Sequence, residues 1–216
     1  MAKVRGPILS INARGQIGKS QVYAQWRGVP YARSYVIPSN PNTVAQQQVR
    51  GTFSWLSAAW MFAPASIAAA YTAAAAGRPF TNRNKWVQAN LAALETEADL
   101  ANMLLSPGAA GGLPVAGVVI TPGETDFVVD ITPPTLPVGW TIVSAQAACL
   151  PDQDPHGIFT PNYVAAEDLV APYSITLPGL TASTQYLVGS WLVYEKPDGS
   201  FAYSIAEGAL ESTAAP

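Results

Sequence analysis

Little in this chain is charged. Asp, Glu, Lys and Arg make up 12% of its 216 residues, where a soluble domain carries about a quarter. Surface that charge does not keep in water points to surface covered by partners. There is one cysteine, Cys149, which excludes an internal disulfide and a cysteine-based metal centre. Its setting, AQAACLP, reads as buried strand around an inert thiol. The one histidine, His156, cannot be assigned to a triad, and no serine or cysteine sits in a nucleophile elbow. No apolar run approaches the ~18 residues of a membrane span. The alanine-rich stretch 57–76 comes nearest, and Pro64 interrupts it. The N-terminus, MAKVRGPILSINARG, shows no apolar signal core, so a cytoplasmic site of synthesis and assembly is expected.

Acid is missing from the whole first half. Residues 1–94 hold ten of the eleven Lys and Arg and no Asp or Glu, whereas 95–216 hold only Lys196 and all fourteen acids. A basic half of this kind calls for an acidic partner: nucleic acid, an acidic protein surface, or the acidic half of a neighbouring copy. The same absence bears on ARGQIGKS, residues 13–20, which fits the permissive phosphate-loop pattern. That mechanism needs a helix after the loop and an acid to hold magnesium. QVYAQWRG, which follows, reads as strand, and no acid occurs before Glu95. The stretch is expected to be a β-turn, with Gly15 and Gly18 at positive φ.

What is present falls into two halves. QVYAQWRGVPYARSYVI reads as a hairpin about Gly28-Val29-Pro30. Asn42 or Thr43 can cap a first helix whose expected apolar stripe is Val44, Val49, Phe53, Leu56 and Trp60, with Pro64 as its end. SIAAAYTAAAA, closed by Gly77, reads as a second helix. A third follows, with Trp86, Leu91 and Leu94 inward. SPGAAGGLPVAG, 106–117, reads as a Gly/Pro-rich linker. Beyond it, short strand-like runs such as TDFVVDIT and QYLVGSWLVYE alternate with turns, KPDGS among them. The expected organisation is an α+β N-terminal domain, a β-hairpin plus helices, over 1–105. The linker 106–117 follows, then an all-β immunoglobulin-like sandwich over 118–216. LPGLTASTQYLVGSWLVYEKPDGSFAYS resembles the later strands of fibronectin type III domains. That resemblance implies that Tyr186, six residues after Leu180, ties down a corner between two strands. Their buried Trp is not in TDFVVDIT, leaving Trp140 or Trp191 for its role.

Two constellations invite a functional reading. Asp152, Asp154 and His156 alternate in PDQDPHG and could face one divalent ion. Pro151, Pro155 and Gly157 around them read more simply as an exposed loop, so no metal, cofactor or catalytic residue is assigned and the protein is not read as an enzyme. The second set is aromatic and basic: Lys19, Trp26, Arg27, Tyr31, Arg33 and Arg50. Rings and arginines of this kind dominate protein interfaces. They also suit single-stranded nucleic acid, which the acidic second half would repel, or they form a core face of the hairpin.

The segment GQIGKSQVYAQWRGVPYARSYVIPSNPNTVAQQQVRGTF resembles an uncharacterised structural protein family of tailed bacteriophages and prophages. The residues that carry the likeness are Gly18, Lys19, Trp26, Arg27, Gly28, Tyr31, Arg33, Asn40, Pro41, Asn42, Thr43, Gln47 and Arg50. It implies a virion structural protein, assembled in the bacterial host cytoplasm, with other virion proteins of capsid or tail and copies of itself as partners. A capsid decoration or auxiliary head protein is the first expectation, and a tail or baseplate component the second. A carbohydrate or host-surface binding module, using sandwich loops near Asp152–Tyr163, is the alternative of another class.

Overall fold

A computed structural model describes residues 14–26, 29–37, 39–40, 42–96 and 100–216. The chain divides into two compact units, 1–42 and 43–216. In the first, β1 (Gly15–Ile17), β2 (Gln21–Trp26) and β3 (Val29–Ser34) form an antiparallel sheet in that order. Gly15 and Gly18 take positive φ, 114° and 58°. Residues 18–20 turn between two strands, and no helix follows them. Trp26 pairs with Val29, so Val29 and Pro30 belong to β3 rather than to the expected turn. None of the described residues of this sheet whose side chains are described is buried.

The second unit opens with helices. Thr43 caps α1 (Val44–Met61), its hydroxyl accepting from the Gln46 N–H. The buried stripe is Thr52, Trp55, Leu56 and Ala59, at i, i+3, i+4 and i+7. The expected stripe is thus rotated: Val44 and Phe53 are exposed. Apolar residues ring this helix, so spacing alone does not choose the inward side. Pro64 precedes α2 (Ala65–Ala75), and α3 (Asn82–Thr96) buries Trp86, Asn90 and Leu94.

The strands that follow make a sandwich. One sheet is β5 (Gly117–Pro122), β6 (Asp126–Thr132) and β9 (Tyr173–Pro178). The other runs β4 (Pro107–Ala109), β11 (Phe201–Ile205), β10 (Gln185–Glu195), β7 (Thr141–Pro151), β8 (Val164–Asp168). The last strand, β12 (Glu207–Ser212), continues β11 past Ala206 and pairs with the first half of β10. Three strands against the remainder, antiparallel throughout, is an immunoglobulin-like sandwich.

The Tyr186 hydroxyl accepts a 2.9 Å hydrogen bond from the Thr181 N–H, and Leu180 is buried beside it. This is the corner that the fibronectin resemblance implied. At another corner Asp168 accepts from the N–H groups of Val170 and Ser174. Those two bonds hold its carboxyl below the usual carboxylate range.

The larger sheet is covered on both sides. From β10, Tyr186, Val188, Leu192 and Tyr194 face the other sheet, while Leu187, Trp191 and Val193 face the helices. From β7, Ala145, Ala147 and Cys149 point one way and Ala148 and Leu150 the other. Gly189 faces the helical side, where an added Cβ would lie 2.8 Å from Leu105 Cδ1. Trp191 therefore belongs to the helical layer, its Nε1 donating to Gln146 Oε1 at 2.8 Å, while Trp140 lies at the intersheet cluster against Tyr194.

The stretch 106–117 joins the packed structure instead of linking two cores. Ser106 is buried and donates to the Ser204 carbonyl at 2.7 Å, and β4 extends the sheet. Helices and sandwich thus form one unit through a shared sheet.

Two outcomes follow. A 43–216 fragment unfolds in one cooperative transition in urea, whereas a 118–216 fragment, exposing Leu187, Trp191 and Val193, fails to unfold cooperatively or aggregates. Equal cooperative stability of the two fragments would refute the shared core. Tyr186→Phe, which leaves the Thr181 N–H without its acceptor, lowers stability by about 1 kcal/mol in the same titration.

Candidate functional site

Directly opposed residues of an antiparallel pair share a face. Val22, Ala24 and Trp26 oppose Arg33, Tyr31 and Val29, so these six occupy one face of the first sheet. Trp26 is 66% exposed, Val29 65% and Tyr31 44%. Together they line a shallow apolar cleft. Arg33 lies at the other end of the row, exposed. Lys19 is exposed in the β1–β2 turn. Neither cation has a hydrogen-bond or ionic partner among the described residues. Arg14, just before β1, donates to the neutral Gln25 side chain.

Three of the six expected interface residues, Trp26, Tyr31 and Arg33, are therefore gathered on one sheet face, and the rings are not core. Arg27 lies outside the described residues. Arg50 is exposed on α1, in the second unit. Val29 was not expected there, because the Gly-Val-Pro stretch reads as a turn. Its two-residue spacing from Tyr31 and Arg33 is the signal that places it on their face.

The loop 152–163 is not a free polar loop. Asp154 caps it by accepting from the His156 N–H at 2.8 Å, and the His156 and Asp154 side chains approach at 3.6 Å. An added Cβ at Gly51 would lie 3.1 Å from the His156 carbonyl oxygen, so α1 and the loop pack backbone to backbone. Phe159 is buried edge-on against Trp55, ring centroids 5.2 Å apart, and also packs near Tyr163. Burial pushes the Tyr163 phenol well above its ordinary range, with Tyr71 adding to the shift. Among the described residues no three His, Cys, Asp or Glu side chains are grouped to hold a metal ion. No single described helix is long and apolar enough to cross a membrane.

Cys149 is fully buried between the sheets, and burial pushes its thiol up to about 12.

No family model matches the chain, and no curated protein matches it. Among solved structures it is similar to the fibronectin type III domain of the human collagen alpha-1(XX) chain. The identity is 24%, over 51% of this chain and 93% of that one, with a TM-score of 0.36. It is also similar to a fibronectin type III domain of human contactin 1, at 14% identity over 49% and 82%, TM-score 0.33. A computationally redesigned β-sandwich protein stands at 21% over 49% and 93%, TM-score 0.36. The strand order and the Tyr186 corner of this chain define its own sandwich.

The thiol gives a direct check of the packing. Cys149 stays unreactive toward a thiol reagent at mildly alkaline pH in the native protein and reacts fully in denaturant; rapid native labelling would contradict the closed intersheet core.

Proposed function

We propose that this protein is a virion structural subunit of a tailed phage that docks through its basic N-terminal sheet, most directly as a capsid decoration or auxiliary head protein. The observation that carries the reading is the exposed row of Trp26, Val29, Tyr31 and Arg33 on a sheet with no buried side chain among those described. A three-stranded sheet needs an apolar face packed on something to be stable. An apolar cleft on the same sheet face as the unneutralised Arg33 is the makeup of an interface with an acidic protein. The resemblance of residues 15–53 to phage structural proteins supports a particle as the setting of that interface. The 43–216 unit, with its shared core, is then the folded body that this contact holds on the particle. A tail or baseplate position would use the same face.

The alternative of glycan recognition draws no support from the loop it would use. Phe159 is buried in the core and Tyr163 is packed against it, so neither offers sugars an exposed platform.

The test is incorporation. In particles of the phage or prophage that carries its gene, the wild-type chain is expected in purified virions by mass spectrometry. Trp26→Ala combined with Arg33→Glu folds normally but falls to about a tenth of wild-type occupancy or less. Equal occupancy of the variant would refute docking through this face, and absence of the wild-type chain from virions would refute the reading as a whole.

A further inference from the structure

The chain carries a surface of opposite character to its docking face. On the outer side of the β5–β6–β9 sheet, Val119 opposes Asp130, which in turn opposes Ser174; one step along, Thr121, Val128 and Thr176 form the next row. Phe127, Val129 and Ile131 point inward, so Asp126, Val128 and Asp130 point outward from the central strand. Val119 is 61% exposed and Asp130 is exposed. The side chains of Asp126 and Asp130 have no hydrogen-bond or ionic partner among the described residues. No Lys or Arg occurs between residues 95 and 195 to neutralise them within this part of the chain.

The two faces match in kind and in spacing. Each is one side of a three-stranded antiparallel sheet, with alternate residues about 7 Å apart along a strand. One presents Val29, Tyr31 and Arg33 along β3, with Trp26 alongside; the other presents Asp126, Val128 and Asp130 along β6, with Val119 alongside. Arg33, without an acid, on one side meets the exposed Asp130 and half-buried Asp126, without bases, on the other, and each side offers exposed apolar area beside its charge.

We propose that the Trp26–Tyr31–Arg33 face of one copy docks on the Val119–Asp126–Asp130 face of a second copy. This rests on the reading of the first sheet as a docking element and names its occupant. The two faces differ, so the contact is head-to-tail. Such contacts propagate into rings or open arrays rather than stopping at a dimer. Each copy offers one basic and one acidic face, so a partner of another sequence is needed only where an array begins or ends.

Sedimentation of the full chain over a range of concentrations tests this. The expected result is association that passes beyond a dimer and weakens at high salt. Arg33→Glu and Asp130→Arg each weaken association about tenfold or more. Combined in one chain, they restore it toward wild type, and that recovery separates a lost contact from a lost fold. Circular dichroism of each variant should match wild type.

Three results would overturn the proposal: a monomer at every concentration, association that neither variant changes, or singles that weaken with a double that does not recover. Preferential binding of a single-stranded oligonucleotide, abolished by Trp26→Ala, would overturn it in favour of nucleic acid. A monomeric chain whose Trp26 and Arg33 variants still lose virion occupancy would sink the second copy as occupant and leave particle docking intact. Self-association without any virion incorporation would do the reverse.

Discussion

Everything in the 43–216 unit depends on a sheet that is buried on both faces. Strands β7 and β10 each send alternate side chains into two cores. The near-continuous burial along β10, Tyr186 to Tyr194, is the physical result. A half-exposed strand would alternate apolar with polar; one covered on both sides does not. Small residues make the double covering possible. Ala145, Ala147 and Ala148 on β7, with Gly189 on β10, keep the sheet thin where helices and the second sheet close on it. Phe159 adds to the helical side from the 152–163 loop, so that insertion belongs to the same packing problem.

The first sheet stands at the other extreme. It has the hydrogen-bonded ladder of a sheet and the rings of a core, but the rings face solvent. Trp26 is 66% exposed and Tyr31 44%, so both rings have area left to bury. Charge reinforces this, since Lys19 and Arg33 find no acid among the described residues and none is encoded before Glu95. Under the proposed reading, the packed 43–216 unit holds shape and the exposed face of the first sheet supplies association energy.

Much of this architecture is legible in the residues, and the failures have physical causes. Period-two alternation, turn glycines and the Leu180–Tyr186 spacing mark the sandwich, because each reflects local geometry. The Thr43 cap and Pro64 mark helix ends for the same reason. The inward side of α1 is not legible, because Phe53 and Trp55 are both large and apolar and only the packing of α3 and the 152–163 loop against the helix decides between them. The stretch 106–117 looks like a linker because Gly and Pro are read as breakers. In place, Gly108, Gly111 and Gly112 permit positive φ or close approach to Tyr203 and Ile205. At the candidate site, residue types and spacing mark Trp26, Tyr31 and Arg33, but whether their face points into a core or outward is a tertiary fact.

The central claim is the proposal that the first sheet, none of whose described side chains is buried, gains its buried side from a partner. Hydrogen exchange of backbone amides, in dilute protein and in the assembled state, tests it most directly. The account predicts fast exchange across 21–34 in dilute protein, slow exchange across 186–194 in both states, and slowing across 21–34 only on assembly. Amides of β2 and β3 as protected as those of β10 in the dilute monomer would contradict it.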